Sequence, residues 1–503
     1  MTDVAVIGAG HNALVAATLL ARAGLAVTVL EAADVVGGAA RTETPFPKVP
    51  ALRQSTGAYL LGLMPPELVT TLGIDFPTLR RDPHYFLPTT GSAYLLLGSD
   101  RDAVRRNYVE FFSPADWRAD EALQAELGAL REDLAPAWLT EVGSVEDVAE
   151  RYVRAPLREA FVDLCRGSVA DYLARFGFES DLVVAMYAVT DGLSGLAAGP
   201  DTPGSGHNFL VHNMCRLPGA DGTWMIVRGG MGTVTSLIAE EARKAGADIR
   251  TRSRVASVIV ENGAVAGVAL DSGEEVRARV VVGGCDPYRL MALCGDAFPA
   301  PLRERMEGVR LPGSTLKVNL ALRDLPRFTC LPDGAASPFG ATIHLLPDGG
   351  LDAVRAQWAD VQAGRLPDFP TIEWYVHTTV DPSLRDPEGH HSAALFVQSV
   401  PYGADVAAYV PHLLEICDRF APGTSALVAD TFALPPQGIE AHFGITGGHI
   451  HHVDNGVAFA DRMPYATGLD GLYACSAGCH PAGSVIGAAG HNAALRVLAD
   501  LGT

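Results

Sequence analysis

Three groups of residues in this 503-residue chain could do or support chemistry. The first is Gly8-Ala9-Gly10-His11-Asn12-Ala13, directly after the apolar run Thr2 to Ile7. Gly8 permits a tight turn, and Gly10 lets the backbone approach a pyrophosphate. Ala13 stands where a third glycine would be and still allows close helix–strand packing. A helix follows through Leu14, Leu19, Leu20 and Ala23, with Gly24 at its end. Its N-terminus offers unpaired N–H groups and positive dipole to phosphate. Leu25 to Leu30 reads as a second strand ending on Glu31. A carboxylate there accepts ribose hydroxyl hydrogen bonds and repels a 2′-phosphate, which argues against NADP.

The second group is Lys317, within Gly313-Ser314-Thr315-Leu316-Lys317-Val318-Asn319-Leu320. A lysine in an apolar alternating strand is costly to bury without a partner. Its flanks favour an interior position; the competing reading is a lysine snorkelling from a strand edge. The third is Gly447-Gly448-His449-Ile450-His451-His452. Read as a strand, it puts His449 and His451 on one face and His452 on the other. Histidine suits proton transfer near neutral pH, and a hydrogen-bonded structural role competes. No acidic or cysteine companions at metal-site spacing were found, so no metal is expected. Trp224, Tyr402 and Tyr465 are candidate lining aromatics, with core packing as the alternative.

These groups need elements to position them. Ala247 to Arg252 and Val280 to Cys285 read as strands, and Arg254 to Val260 pairs with Ala264 to Leu270 around Asn262-Gly263. Gly471 to Gly478 is a strand leading into a glycine turn, and the last helix opens from His480 to Ala494. Helical patterns occupy Val148 to Cys165, interrupted by Pro156, then Ser168 to Phe176 and the more apolar Leu182 to Leu196. Strands are predicted over Ser314 to Leu322, Ala341 to Leu346, Thr371 to Val376 and Ala393 to Val397. A sheet floor roofed by helices with apolar lining favours an apolar or amphipathic ligand.

Asp34-Val35-Val36-Gly37-Gly38-Ala39-Ala40-Arg41-Thr42 continues from Glu31. The arrangement GxGxxA, Glu, then GGxxRT resembles the flavin-containing amine oxidase and phytoene desaturase superfamily. Further marks are DTPGSG at Asp201 to Gly206, Arg228-Gly229-Gly230-Met231-Gly232, and the HPAGSVIGAAGHNAA run from His480. With these the chain particularly resembles the pyridine nucleotide-disulfide oxidoreductase domain 2 type of phytoene-desaturase relatives, along nearly its whole length. The resemblance implies non-covalent FAD. It implies cofactor contacts from Gly8, Gly10, His11, Asn12, Ala13, Glu31, Gly38, Ala39, Arg41 and Thr42. Gly230, Met231 and Val255 would follow, with Val255 beside the adenine, then Gly478, His480, Ser484, Val485 and Ile486 at the last helix. A helix N-terminus there would stabilise negative charge near flavin N1. By the same resemblance Lys317 reaches N5 through a water, His452 matches a family histidine, and His451 departs from an aromatic. Lys317, His452 and His449 are the catalytic candidates; Trp224, Tyr402 and His451 are the candidates for substrate contact.

The expected fold class is α/β: a two-dinucleotide-binding, Rossmann-like FAD domain with an inserted α+β substrate domain of mixed sheet plus helices. The cofactor domain would take 1–75, 216–290 and 456–503, and the substrate domain with its helical cap 76–215 and 291–455. Hydrophobic residues are 48% and charged residues 19%, a globular composition. A net charge of −20 disfavours nucleic acid and anionic lipid as electrostatic partners. No long apolar run predicts an integral membrane segment; an apolar helical patch could touch a membrane surface peripherally, and a homodimer is allowed. Eight scattered cysteines without a CxxC pair fit reduced thiols in the cytoplasm. No CxxxxC supports dithiol chemistry, and Cys479 lies wrongly for a covalent flavin link.

Three functions compete. The first is desaturation, saturation or isomerisation at a carbon–carbon bond of an apolar or amphipathic small molecule, with oxygen or quinone as electron acceptor. The second is C–N oxidation of an amine with release of hydrogen peroxide, which an aromatic pair over the flavin would favour. The third is a flavin-bound interaction protein without turnover.

Overall fold

The computed structural model describes residues 2–220, 222–335 and 337–502. Its first sheet is five-stranded and parallel, in the order Leu472–Ala474, Val280–Gly283, Val4–Ile7, Val27–Leu30, Asp248–Arg250. Val4–Ile7 lies at the centre, and all four of its residues are buried. Burial on both faces is why the strand reads as a continuous apolar run and not as an alternation. The His11–Arg22 helix packs on this sheet between the Gly232–Lys244 and Ala488–Leu501 helices. The strands thus come from three separated stretches of chain, the N-terminus, the middle and the C-terminus. Val255–Glu261 and Ala264–Leu270 form the expected hairpin, extended by Glu275–Arg277. Asn262 and Gly263 take positive φ of 53° and 82°, as an Asn-Gly hairpin turn requires.

The second sheet has seven strands, ordered Val428–Leu434, Leu316–Leu322, His391–Val397, Ile372–Val376, Thr342–Leu345, Tyr85–Pro88, Tyr94–Leu97. Every pairing is antiparallel except Thr342–Leu345 with Tyr85–Pro88. Its two faces differ in chemistry. Leu316, Val318, Leu320, Ile343, Leu345, Ile372, Trp374, Leu395 and Val397 share one apolar core with the Tyr409–Phe420 helix. The alternate positions, Lys317, Asn319, Thr342, Glu373, Tyr375 and Phe396, fall on the other face by the two-residue period of a strand.

Helices between 101 and 212 form a separate core that roofs this second face. Pro156 divides Val145–Tyr152 from Arg158–Arg166, with the short turn Ala155–Leu157 between them. Proline removes a backbone donor and clashes with the preceding turn, which ends the first helix. The run Leu182 to Leu196 is an α-helix over Asp181–Tyr187 that widens into a π-helical turn over Ala188–Leu193. The strand expected at 447–452 is absent. Thr446–Gly448 is a tight turn, and Gly447, Gly448 and His452 all have positive φ, so the chain coils where alternation would need it extended. Among the described residues, no helix is long and apolar enough to cross a membrane.

Candidate active site

A cavity of about 540 Å³ is walled by residues of both sheets. That lies inside the roughly 300–1,000 Å³ of small-molecule and cofactor sites. At one end, the Val4–Ile7 strand turns at Gly8, whose φ of 88° suits only glycine comfortably. Gly10 caps the following helix in extended geometry, with no side-chain cap hydrogen bond. A Cβ on Gly8 or Gly10 would meet no protein atom within 4 Å, so the turn keeps open space in front of it. His11 and Asn12 also line the cavity, and His11 Nε2 and Asn12 Oδ1 are buried without hydrogen-bond partners. Burial, with His452 nearby, lowers the His11 pKa to about 4, which keeps its ring neutral.

Glu31 ends the Val27–Leu30 strand at the cavity wall. Its Oε2 accepts the Ala9 N–H at 2.7 Å and its Oε1 the Ala33 N–H at 2.8 Å. The carboxylate is therefore fixed, and each oxygen keeps acceptor capacity for a hydroxyl. Gly38 and Ala39 line the same end. So does Arg41, paired with Glu43 at 3.2 Å and 5.1 Å above the Phe443 ring. Val255, Ser484 and Val485 complete it.

Lys317 projects from the second sheet into the middle of the cavity wall and is 3% exposed. Its Nζ donates to Ser55 O at 2.7 Å and to Gly57 O, and lies 4.4 Å from the Tyr59 ring centroid. Burial drives its pKa well below the usual lysine value, against the attraction of Glu43. Tyr59 and Tyr375 form a tilted pair with centroids 4.3 Å apart, and Phe396 lies 5.8 Å from Tyr59. The wall continues with Trp224, His212, His451 and His452.

A polar chamber lies beyond. Glu373 is 2% exposed; its Oε2 accepts the Tyr375 hydroxyl, and its Oε1 has no partner. Asp191 is 3% exposed and accepts the Tyr85 hydroxyl at 3.0 Å. Burial pushes Glu373 up to about 8 and Asp191 up to about 7. Asp191 sits on the π-helical turn, whose widened geometry leaves carbonyls to satisfy. Asn208 Nδ2 donates to the carbonyls of Asp191, Gly192 and Ser194 at 3.1–3.2 Å. Asn208 Oδ1 accepts from Asn455, which exchanges hydrogen bonds with Gly483 and so ties this turn to the C-terminal motif.

The histidine cluster divides. His451 and His452 reach the cavity, and burial lowers both their pKa values. His451 Nε2 donates to Ser194 O at 3.0 Å. His449 does not line the cavity; its Nε2 lies 3.1 Å from Asp454 Oδ2 in a buried pair. Asp454 is the acidic companion that the sequence reading passed over. Arg462, fully buried, donates to the carbonyls of Val453, Asp454, Val457, Ala477 and Cys479. It clamps the histidine loop to the C-terminal glycine turn.

Several other expected contacts lie off the wall. Ala13 packs the helix to the sheet: a Cβ on Gly284 would stand 2.6 Å from its own. Thr42 bonds Gly229 O and the Gly232 N–H, and the Met231 N–H bonds Ser55 Oγ. The Gly230–Met231 turn thus braces the Arg41 segment from behind. Gly478 packs on Pro287, Ile486 joins the helical core, and His480 Nε2 donates to Ala137 O at 2.8 Å. Tyr402 is 45% exposed and bonds Glu440 at the surface, so it does not line the chamber. Tyr465 is buried and donates to His480 O. Sequence reasoning missed Tyr59, Asp191, Glu373 and Tyr375. Glu373 carried a usable signal, a charge inside the apolar strand Thr371 to Val376, the same logic that singled out Lys317.

The open glycine turn, uncapped helix N-terminus and fixed Glu31 fit the diphosphate and ribose of a dinucleotide. Comparison with known proteins agrees. Residues 6–63 match the NAD(P)-binding Rossmann-like domain, and 70–330 match the flavin containing amine oxidoreductase family. The chain is 33% identical to the rat pyridine nucleotide-disulfide oxidoreductase domain-containing protein 2, over 99% of this chain and 94% of the relative. It is 27% identical to hydroxyneurosporene desaturase of Rhodobacter capsulatus, covering 99% and 98% of the two chains. A solved putrescine oxidase with putrescine bound shares the fold, at TM-score 0.60 and 16% identity over 99% and 98% of the chains. The chain belongs to the flavin containing amine oxidoreductase family and is an FAD-dependent oxidoreductase.

Proposed function

We propose that the chain desaturates, or in reverse saturates, a carbon–carbon bond of an amphipathic small molecule. The observation that carries this is the continuity of one cavity from the Gly8–Gly10 turn, past Lys317 and Phe396, to the Glu373 chamber. A substrate with an apolar body and a polar end matches that lining. The name of the hydroxyneurosporene desaturase relative supports the same reaction class. FAD, when bound, supplies a two-electron acceptor for a hydride from substrate carbon.

The chain's own residues would do the rest. Gly8, Gly10, the first turn of the His11–Arg22 helix and Glu31 would hold the diphosphate and ribose. Lys317, held by two carbonyls with its neutral amine favoured by burial, would take or return a proton at Nζ. His452 and His451, also kept neutral by burial, are second candidates for that proton. Phe396 and Tyr59 would orient the substrate body and exclude water. Oxygen or quinone would take the electrons onward, and the reduced cysteines fit a cytoplasmic setting.

Anaerobic mixing of the FAD-loaded protein with amphipathic ketones, alcohols and amines tests this. Loss of oxidised-flavin absorbance with a new carbon–carbon double bond in the product is expected. The Tyr59–Tyr375 pair favours the second reading, C–N oxidation. Flavin reduction by amines alone, with peroxide release in air, would replace the first reading with it.

A further inference from the structure

Glu373 and Asp191 are buried acids that the proposed reaction does not yet use. Both line the inner end of the cavity. A hydroxyl already occupies one oxygen of each: Tyr375 on Glu373 Oε2 and Tyr85 on Asp191 Oδ1. Arg81 is close enough to oppose the Glu373 shift, and two of its three nitrogens are anchored elsewhere while Nη2 is buried without a partner. Its Nε donates to Trp224 O at 2.8 Å and its Nη1 to Thr342 Oγ1 at 2.9 Å, and it does not line the cavity.

A buried carboxylate with an unpaired oxygen is costly, so the protonated acid is favoured. Because Tyr375 donates to Oε2, the proton of Glu373 belongs on Oε1, the oxygen without a partner. The result is an unused O–H donor at the wall of a cavity. We propose that Glu373, with Asp191 beside it, donates a hydrogen bond to a carbonyl oxygen of the substrate, which makes the substrate class an amphipathic ketone. This rests on the desaturation reading. A carbonyl held by an acid weakens the neighbouring C–H bonds, as loss of hydrogen across the adjacent carbon–carbon bond requires. Ketosteroid isomerase keeps an aspartic acid protonated for the same kind of donation.

Charge decides against the other ligands. A carboxylate would bring a charge into the chamber that burial opposes, and Arg81 does not line the wall to pair with it. An ammonium would need Glu373 ionised, the form that burial opposes. The groups around Glu373 all enter this balance. Burial raises it most, the Tyr375 hydroxyl opposes, the Asp191 charge adds, and the Gln398 side-chain amide and Arg81 oppose. His344 lies opposite it on the next strand, itself lowered to about 3 by burial, and Tyr59 and Tyr85 complete the surroundings.

Titrating FAD-loaded protein with cyclohexanone, and separately with cyclohexylamine, by calorimetry across neutral to alkaline pH tests the assignment. Ketone affinity should hold below about pH 8 and fall roughly tenfold per pH unit above it. Glu373→Gln keeps a donor and should bind the ketone with no such fall, whereas Glu373→Leu should lose binding with flavin absorbance unchanged. No ketone binding, a flat pH profile in the parent, or amine binding that strengthens as pH rises would overturn it. Binding is read here without turnover, so the two readings fail separately. A ketone that binds with this profile but never reduces the flavin removes the desaturase reading and leaves the chamber. Reduction by substrates whose affinity ignores Glu373 does the reverse.

Discussion

Replacing Gly10 with alanine should separate folding from cofactor binding. Gly10 has φ −72° and ψ 167°, a conformation any residue adopts. An added Cβ meets no protein atom within 4 Å. The fold therefore has no steric reason to resist, and apo stability should change by less than about 1 kcal/mol, the range of Gly-to-Ala effects where the backbone is compatible. The same Cβ would project from the glycine turn into space that a diphosphate must approach. Overpacking of about 1–3 kcal/mol corresponds to a roughly 5- to 150-fold weaker FAD Kd. Urea unfolding of the apo protein and fluorescence titration of FAD measure the two quantities. Gly490→Ala is the contrasting variant, because its Cβ would strike the backbone carbonyl of Asn12 and should lower apo stability too. An FAD Kd unchanged in Gly10→Ala, with the protein folded, would refute the placement of the cofactor on this turn.

Three further outcomes can be checked. Lys317→Met leaves Ser55 O and Gly57 O without their donor, about 1–3 kcal/mol for each buried group; thermal stability should fall, and flavin reduction should slow while FAD affinity holds. Arg462→Met strips the donor from five buried carbonyls and should cost more than about 3 kcal/mol, read by denaturant titration. Burial opposes the Asp454 charge, but the His449 hydrogen bond and charge win and hold its pKa below the usual 3.8. A depressed folded value contributes stability above the unfolded pKa and loses it as pH falls through the folded one. Asp454→Asn should therefore be less stable at neutral pH and show a shallower acid limb, and parallel acid limbs in the two proteins would contradict the pairing.

Much of the cofactor end was legible because its chemistry is local. Gly8, Gly10 and Glu31 occupy fixed offsets along a strand–turn–helix–strand unit, and the geometry follows from those offsets. The Asn262-Gly263 hairpin and the Pro156 break were readable for the same reason. The histidine loop was not. His449 to His452 alternate like a strand, but Gly447 and Gly448 at positive φ turn the chain before any ladder forms. The resemblance implies cofactor contacts from Thr42 and Met231; their hydrogen bonds go to Gly229 O, the Gly232 N–H and Ser55 Oγ, which a local motif does not show. Asp191 was hidden for another reason. It sits in an apolar run whose helix widens by a turn, and the donor to its carbonyl is Asn208, 17 residues away in sequence.

The second sheet explains how a polar chamber comes to lie at the inner end of a largely apolar cavity. Its strands alternate, so each residue chosen for the hydrophobic core fixes its neighbours on the cavity face. Trp374 in the core puts Glu373 and Tyr375 at the cavity, Leu316 and Val318 put Lys317 there, and Leu395 and Val397 put Phe396 there. The register pairs Lys317 with Phe396 and Phe396 with Glu373, so three strands deliver these groups in one row across the sheet. A one-residue slip would bury Lys317 and Glu373 in the apolar core and expose Trp374 and Val318 to the cavity. The same hydrophobic pattern that stabilises the sheet therefore sets the spacing of amine, aromatic ring and acid. Groups held on central strands keep that spacing without closing a loop, and pre-organisation of this kind is what a donor–acceptor match to one substrate carbonyl needs.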